Sequence, residues 1–382
     1  MGGRSAALLI FLEMKKVRQA IEERVAEIGD GDLQVLFSRK LPKAGYSEKW
    51  LARELSKDGA KVLRAEAWTR EIPEMEPGWG PVLTTVGELA GHLRLGLEEL
   101  EWFADLAGRN PNGGALGHYR YRWIPKRKGG RRLLMEPKES LKITQRRILE
   151  TIVNEIPLHE AAHGFREGRS IRSYAERHCG KPVVVRMDLG DFFQSITAAR
   201  VTGVFVRCGY RRKVARFLAG LCTHEPPSEV ARMARHLPQG APTSPALANA
   251  VAYRLDCRLA GLAARAGLAY TRYADDLAFS GKRVGKGFCD LVNVIILEEG
   301  FLINARKTRV MKSSQRQRLA GVVVNTHPNI SRAEFDLLKA VLHAGPPSRE
   351  REVLRGKIAA VQMVNAQRGA KLLEMFQRVL WK

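Results

Sequence analysis

The stretch TRYADDLAFSG, residues 271–281, sets two adjacent aspartates between two apolar, β-prone runs. Neighbouring like charges repel by about 1 kcal/mol in water and about 4 kcal/mol at an effective dielectric near 20. A strand sends successive side chains to opposite faces, but at a hairpin turn both Asp275 and Asp276 reach one edge. Residues 268–274 and 277–280 therefore read as the two strands of a hairpin. Upstream, residues 183–187 form a short, mostly apolar run that ends at Asp188 and reads as a buried strand. If these strands are neighbours, three carboxylates meet, and without a cation one of them would have to take up a proton. Mg²⁺ relieves that conflict, because it prefers oxygen and takes one or two carboxylates plus substrate phosphates. Two such ions bridged by the carboxylates would activate an attacking hydroxyl and stabilise a departing pyrophosphate. The four residues Tyr273 to Asp276 are a weak signal alone, since a polar turn between two strands reads the same way.

The chain has 382 residues, enough for two or three domains and a sizeable core. A hydrophobic content of 45% argues for a folded protein rather than a disordered tail. The formal net charge of +24 comes from 64 Lys and Arg against 40 Asp and Glu, and points to a polyanionic partner, most simply nucleic acid. The five cysteines are scattered and form no CxxC pair, so neither a zinc knuckle nor a disulfide framework is indicated. Cys222-Thr-His224 lacks partner spacing for a metal and reads as an ordinary loop. A reducing cytoplasm fits best. The apolar run 6–12 is too short to span a bilayer, lacks a small-residue cleavage site, and continues into Val17, Ile21, Val25 and Ile28 on one helical face. An amphipathic helix and no membrane association follow.

No internal repeat or low-complexity tract appears. Residues 72–81 (IPEMEPGWGP) read as a linker that closes a helical N-terminal extension, residues 1–80, of unassigned role. Thr85-Val-Gly-Glu88 has the form of a capping box opening a short helix, residues 97–106 give a second helix, and 108–117 is a loop. Residues 119–147 are the most basic stretch. Their Gly129-Gly130 pair reads as a hairpin tip whose cationic arms close over phosphates, the alternative being a solvated positive face. Tyr119, Tyr121 and Trp123 alternate with the charges and favour the nucleic-acid surface. Ser244-Pro245 reads as an N-cap with Pro at the first helical position. Leu247, Val251, Leu255, Leu259 and Leu262 then mark one face of a single long helix that stops near Gly267. After the hairpin strands 268–274 and 277–280, the C-terminal part of the chain reads as all helical. Ser331 to Glu334 is a second capping box, Pro346-Pro347 separates two helices, and a last helix carries Leu372, Leu373, Phe376, Val379 and Leu380.

Five segments, RMDLGDFFQSI (186–196), LPQGAPTSPALAN (237–249), YADD (273–276), NARKTRV (304–310) and LAGVVVN (319–325), follow one another in an order that resembles reverse transcriptases. The wording is most similar to that of bacterial retron reverse transcriptases. KRKGGRRLLMEP (126–137), LKITQRRIL (141–149) and HGFREGRSI (163–171) resemble the fingers of the same family. The resemblance covers about 85–325, is weak over the last helices and is absent over the first 80 residues. The chain reads His159-Glu-Ala-Ala-His163 where the family carries Asn-Ala-x-x-His, and Leu319-Ala-Gly321 where it carries Val-Thr-Gly.

The resemblance implies an α+β right-hand polymerase: residues 81–180 as N-terminal helices and fingers, 181–325 as a palm built on an antiparallel sheet plus helices, and 326–382 as a helical thumb. It implies Asp188, Asp275 and Asp276 as catalytic metal ligands, aided by the Leu189 carbonyl, for two Mg²⁺ ions with Mn²⁺ as the alternative. It assigns Lys126 and Arg132 to the triphosphate of a dNTP, Phe193 to exclusion of a ribose 2′-hydroxyl and Gln239 to the nucleotide pocket. Nucleic-acid contacts fall on Arg127, Lys128, Arg131, Arg166, Arg169, Lys307 and Gly321. Phe192 reads as a core aromatic, and Asn249 as a polar contact of its helix rather than a catalyst. The implied activity is RNA-directed DNA synthesis on a structured noncoding RNA that serves as template and primer. An internal guanosine 2′-hydroxyl would prime a branched RNA–DNA used in antiphage defence with an effector protein. Only 106 residues follow Asp276 and none reads as a ribonuclease H domain, so a host ribonuclease H is the expected partner. A group II intron-type enzyme would need a larger region after the thumb, and the wording after Pro-Gln-Gly departs from it. The same wording argues against diversity-generating and abortive-infection polymerases. A nucleic-acid-binding protein without catalysis fits the charge alone, but has no use for three metal-spaced carboxylates.

Overall fold

The first helix begins where the sequence places a cap. Thr85 Oγ1 accepts from the Glu88 N–H and the Glu88 carboxylate accepts from the Thr85 N–H, which closes the capping box of α1 (Val86–Leu93). The computed structural model describes residues 79–108, 116–126 and 129–381. The amphipathic N-terminal helix, nearly all of the extension 1–80 and most of the 72–81 linker lie outside the described residues. α2 (Leu97–Ala104) follows α1, and then an antiparallel hairpin of β1 (Tyr119–Pro125) and β2 (Arg131–Pro137), with Pro125 opposite Arg131. Gly129 and Gly130 at its tip have φ of +89° and +79°, which glycine alone adopts without strain.

α3 (Glu139–Thr151) and α4 (Ile171–Glu176) lead into β3 (Val183–Gly190). Between β3 and the next strand lie α5 (Ala198–Arg207), α6 (Arg212–Cys222), α7 (Ser244–Val251) and α8 (Tyr253–Arg265). Then come β4 (Ala269–Tyr273), β5 (Asp276–Gly281), α9 (Lys286–Glu298), β6 (Leu302–Ile303), β7 (Arg309–Lys312) and a small hairpin of β8 (Arg318–Leu319) and β9 (Val322–Val323). The described chain closes on α10 (Arg332–His343), α11 (Arg351–Val364) and α12 (Ala366–Gln377). Ser331 caps α10 with a second closed capping box, as its sequence implies.

β3 is the spine of an antiparallel five-stranded sheet. β5 pairs along one of its edges and carries β4 outside it, while β7 and β6 follow each other along the other edge. Alternation along β3 sends Val185, Met187 and Leu189 into the main core, with Leu277 and Phe279 of β5 beside them. Val184 and Ala278 point the other way, into a smaller cluster with Tyr174 and Val322. By the same alternation Arg186, Asp188 and Asp276 lie on that second face. The last three helices close a core of their own around Leu342, Leu354, Ile358, Val361, Leu372 and Phe376. α11 and α12 cross so tightly at Gly369 that a Cβ there would overlap the backbone of Gln362.

Three local expectations are corrected. The apolar stripe 247–262 is one face of two helices, because Ala252 leaves helical geometry at φ −79°, ψ 0° and α8 restarts at Tyr253. No Gly or Pro marks that break; it lets polar residues of both helices aim at one point of the sheet. The N-cap of α7 is Thr243, not Ser244, which lies in the first turn with Pro245. The last helix stops at Gln377, so Val379 and Leu380 lie beyond it, Leu380 with 87% of its surface exposed. The stop of α8 is as expected: Gly267 at φ +64° places the Leu268 N–H on the Ala263 carbonyl, a Schellman closure.

Candidate active site

Tyr273 pairs with Asp276, so the turn of the β4–β5 hairpin is the two residues Ala274 and Asp275. Ala274 has φ of +55°, a left-handed conformation that costs a residue with a Cβ about 1 kcal/mol or more. The register then sets Asp188 of β3 directly opposite Asp276 of β5. The Leu189 N–H donates to the Asp275 carbonyl at 2.8 Å and stitches the turn to β3. In an antiparallel ladder the N–H and C=O of one residue face the same side, so the Leu189 carbonyl faces the turn as well. Asp188 and the distant adjacent pair Asp275-Asp276 thus meet where β3 passes the β4–β5 turn.

Their charges are only partly compensated. Lys307 donates to both oxygens of Asp188, at 2.8 and 2.9 Å. Arg186 grips Asp276 through Nε at 2.9 Å and through Nη2 at 2.6 and 2.7 Å. Asp275 forms no ion pair among the described residues. Burial, then the negative charges of Asp188 and Asp276, push its pKa up to about 6. Burial also raises Asp276, against the pull of Arg186. Among the described residues no three His, Cys, Asp or Glu side chains form a ready-made metal cage. The carboxylates nevertheless fit a divalent cation by charge: their surplus already draws two cationic side chains. One of these, Lys307, is half exposed on a flexible stem that can swing aside.

The other expected residues fall around this cluster. Lys126, Arg131 and Arg132 stand exposed at the tip of the β1–β2 hairpin, without an ion pair to the aspartates; Arg127 and Lys128 lie outside the described residues. β2 is tied to the Pro-Gln-Gly loop by the Met135 N–H on the Gln239 carbonyl at 2.8 Å. Gln239 Oε1 is buried with no hydrogen-bond partner among the described residues. Phe192 is buried against Phe301, while Phe193 is half-buried with its ring 6.2 Å from Phe165. Arg166 is half-buried and donates to the His159 carbonyl at 3.0 Å, and Arg169 is half-buried nearby. Gly321, at φ +96°, and Ala320, at +43°, make the two-residue turn between β8 and β9. Cys222 and His224 form no metal site: the thiol is fully buried, and His224 Nε2 meets the Tyr121 hydroxyl at 2.7 Å.

Several residues that hold the site were not singled out by sequence. Arg272 is fully buried, and its Nε and Nη2 donate to the two oxygens of Asp256 at 2.8 and 2.6 Å. Its Nη1 donates to Asn249 Oδ1 at 2.9 Å and to the Ala274 carbonyl at 3.1 Å. Asn249 in turn donates to the Gly164 carbonyl at 2.7 Å, so it is a helix polar contact with two partners. His178 bridges Ser280 and Thr271 at 2.7 Å each, and burial lowers its pKa to about 3, so it packs the hairpin as a neutral ring. The only sequence signal was position, a cation one residue before Tyr273.

The sequence profile described as Reverse transcriptase (RNA-dependent DNA polymerase) matches residues 124–324. The Retron Mx65 reverse transcriptase of Myxococcus xanthus is 46% identical over 270 residues, 67% of this chain and 63% of its own length. The Retron Mx162 reverse transcriptase of the same organism is 36% identical over 375 residues, 88% of this chain and 76% of its own. The Retron Ec86 reverse transcriptase of Escherichia coli is 31% identical over 310 residues, 78% of this chain and 90% of its own. The chain therefore spans just under two thirds of the first relative and most of the other two. Enzymes with this profile use divalent metal ions. No helix among the described residues is long and apolar enough to cross a membrane.

Proposed function

Because this chain belongs to the reverse transcriptases, RNA-directed DNA polymerases, and within them to the retron type, we propose that it copies a dedicated structured RNA into DNA. Synthesis starts from a 2′-hydroxyl of that RNA and yields a branched RNA–DNA that serves antiphage defence with an effector protein. A host ribonuclease H removes the template. Residues 81–180 act as fingers, 181–325 as palm and 326–382 as thumb. The observation that carries the catalytic reading is the register of Asp188 against Asp276, with Asp275 half-buried beside them.

Asp188, Asp275, Asp276 and the Leu189 carbonyl would hold two divalent ions, Mg²⁺ or Mn²⁺. Bound there, such ions lower the pKa of an attacking hydroxyl and neutralise charge on a departing pyrophosphate. The chain's own side chains do the rest. Lys307 and Arg186 keep two of the three carboxylates neutralised before substrate enters. Lys126 and Arg132 offer exposed cations to a triphosphate, and Gln239 lines the nucleotide pocket with a buried amide oxygen that has no partner among the described residues and can accept from a sugar hydroxyl or a base N–H. Phe193 closes the space a ribose 2′-hydroxyl would need. Arg131, Arg166 and Arg169, with Arg127 and Lys128, follow the phosphate backbone, and the Gly321 turn lies along the primer.

Primer extension on an RNA template tests the reading. Wild-type protein should extend, and an Asp275→Ala/Asp276→Ala double variant should not; a double variant as active as wild type would leave only a nucleic-acid binder. Sequencing the nucleic acid that copurifies with the chain tests the finer claim. A branched RNA–DNA supports it, and intron RNA overturns it. Phe193→Ala should admit rNTPs, lowering the preference for dNTPs by about 10²-fold in kcat/KM, as expected for one lost steric contact. Affinity for template–primer should fall by about 10³-fold between 50 and 200 mM salt if six or more phosphates are contacted. A flat salt profile would show that the basic surface does not track a backbone.

A further inference from the structure

The acidic turn rests on a buried ionic set that stability alone does not explain. Replacing a buried ion pair with apolar residues of similar volume is often neutral or stabilising. Yet Arg272 and Asp256 have no exposed surface, and the guanidinium makes four hydrogen bonds there. Asp256 Oδ1 also accepts from the Tyr270 hydroxyl at 2.7 Å. What distinguishes the set is where its fourth bond goes. Arg272 Nη1 reaches the Ala274 carbonyl, the peptide that joins the left-handed Ala274 to Asp275.

The peptide just before it, Tyr273–Ala274, is pressed from another side. The Arg272 N–H donates to the Ala161 carbonyl at 2.7 Å, and the His163 N–H donates to the Arg272 carbonyl at 2.8 Å, so residues 161–163 lie along β4. Gly164 then meets the turn backbone so closely that a Cβ there would lie 2.6 Å from the Ala274 nitrogen. Asn249 is bonded at both ends of its amide, to Gly164 and to Arg272, which fixes the spacing between loop and guanidinium. A lysine could not replace Arg272, because one point charge does not serve Asp256, Asn249 and the Ala274 carbonyl in a plane.

We propose that Arg272, Asp256 and Asn249 are positioning residues for nucleotidyl transfer: they hold the Ala274–Asp275 peptide against its steric preference, so that the Asp275 carboxylate stays beside Asp188. This rests on the polymerase reading given above. Without the clamp the turn relaxes, and a displacement on the order of 1 Å at a reacting centre costs about 10²-fold in rate.

The test compares wild type with an Arg272→Met/Asp256→Leu double variant, which removes both buried charges together, and with Asn249→Ala and Arg272→Lys. Four quantities are measured: kcat and KM for dNTP, affinity for an RNA template–primer, melting temperature, and Mn²⁺ binding to the protein without nucleic acid. The expected result is a double variant that melts near wild type and binds template–primer as tightly. Its kcat should be about 10²-fold lower with KM little changed, and its Mn²⁺ binding about 10-fold weaker. Asn249→Ala should lose about 10-fold in kcat, and Arg272→Lys should not restore it. Wild-type kcat in the double variant would overturn the proposal. So would parallel loss of kcat, template affinity and melting temperature in every variant, the pattern of a general packing defect. Failure of the wild type itself to extend a primer would end the polymerase reading instead, and Mn²⁺ binding would still decide whether the clamp positions the turn.

Discussion

Asp275→Asn is expected to melt later than wild type and to extend primers at least about 10³-fold more slowly. The two effects have one cause. In the metal-free protein Asp275 is half-buried beside two other carboxylates without an ion pair among the described residues, and its pKa rises from 3.8 to about 6. A carboxyl whose folded pKa exceeds its unfolded one destabilises the protein wherever the unfolded chain would ionise it. Below about pH 4 both states are protonated and the variant gains nothing. Between about pH 4 and 6 its advantage grows, and above that it is complete, on the order of 3 kcal/mol. Denaturation of wild type and variant at pH 4 and pH 8, in chelator, measures it. Equal stability at pH 8, or an active variant, would remove Asp275 from the centre of the site.

Arg186→Met should have the opposite sign. Its guanidinium makes three contacts with Asp276, whose residue surface is 8% exposed. Removing one partner of a largely buried pair leaves an uncompensated charge and costs about 3 kcal/mol. The Asp276 pKa, already raised by burial, then rises further. The loss is therefore expected at pH 8 and should shrink as the pH falls through the folded pKa and the carboxyl protonates. Adding Asp276→Asn should recover most of it, and a double-mutant cycle reads the coupling directly. A coupling near zero would mean that the pair is only a surface contact.

What the sequence disclosed about this protein is what local chemistry decides. The capping boxes at Thr85 and Ser331, the Gly129-Gly130 tip and the Gly267 stop each depend on residues a few positions apart, and all four form as read. The meeting of Asp188 with the 275–276 turn was legible because both strands announce themselves by apolar runs that end in acid. The clamp was not. Arginine is almost never fully buried, so Arg272 passes for a surface cation until Asp256, 16 positions upstream, and Asn249, 23 upstream, are seen beside it. The break at Ala252 escaped for a related reason. An alanine inside an unbroken apolar stripe carries no local signal, although the break sets Asn249 and Asp256 on separate helices that both reach Arg272. Arg186 sits inside the family-like segment, but nothing in its spacing says that it grips Asp276 rather than solvent.

The separate core of α10, α11 and α12 has a consequence for how such proteins diverge. Its apolar residues pack on one another, and its link to the sheet runs through few side chains, Ile330 and Val364 among them. Substitutions on the outer faces of those helices can accumulate without disturbing the strands that carry the aspartates. A lineage can therefore remodel this end of the chain while inheriting unaltered the strands that carry the aspartates.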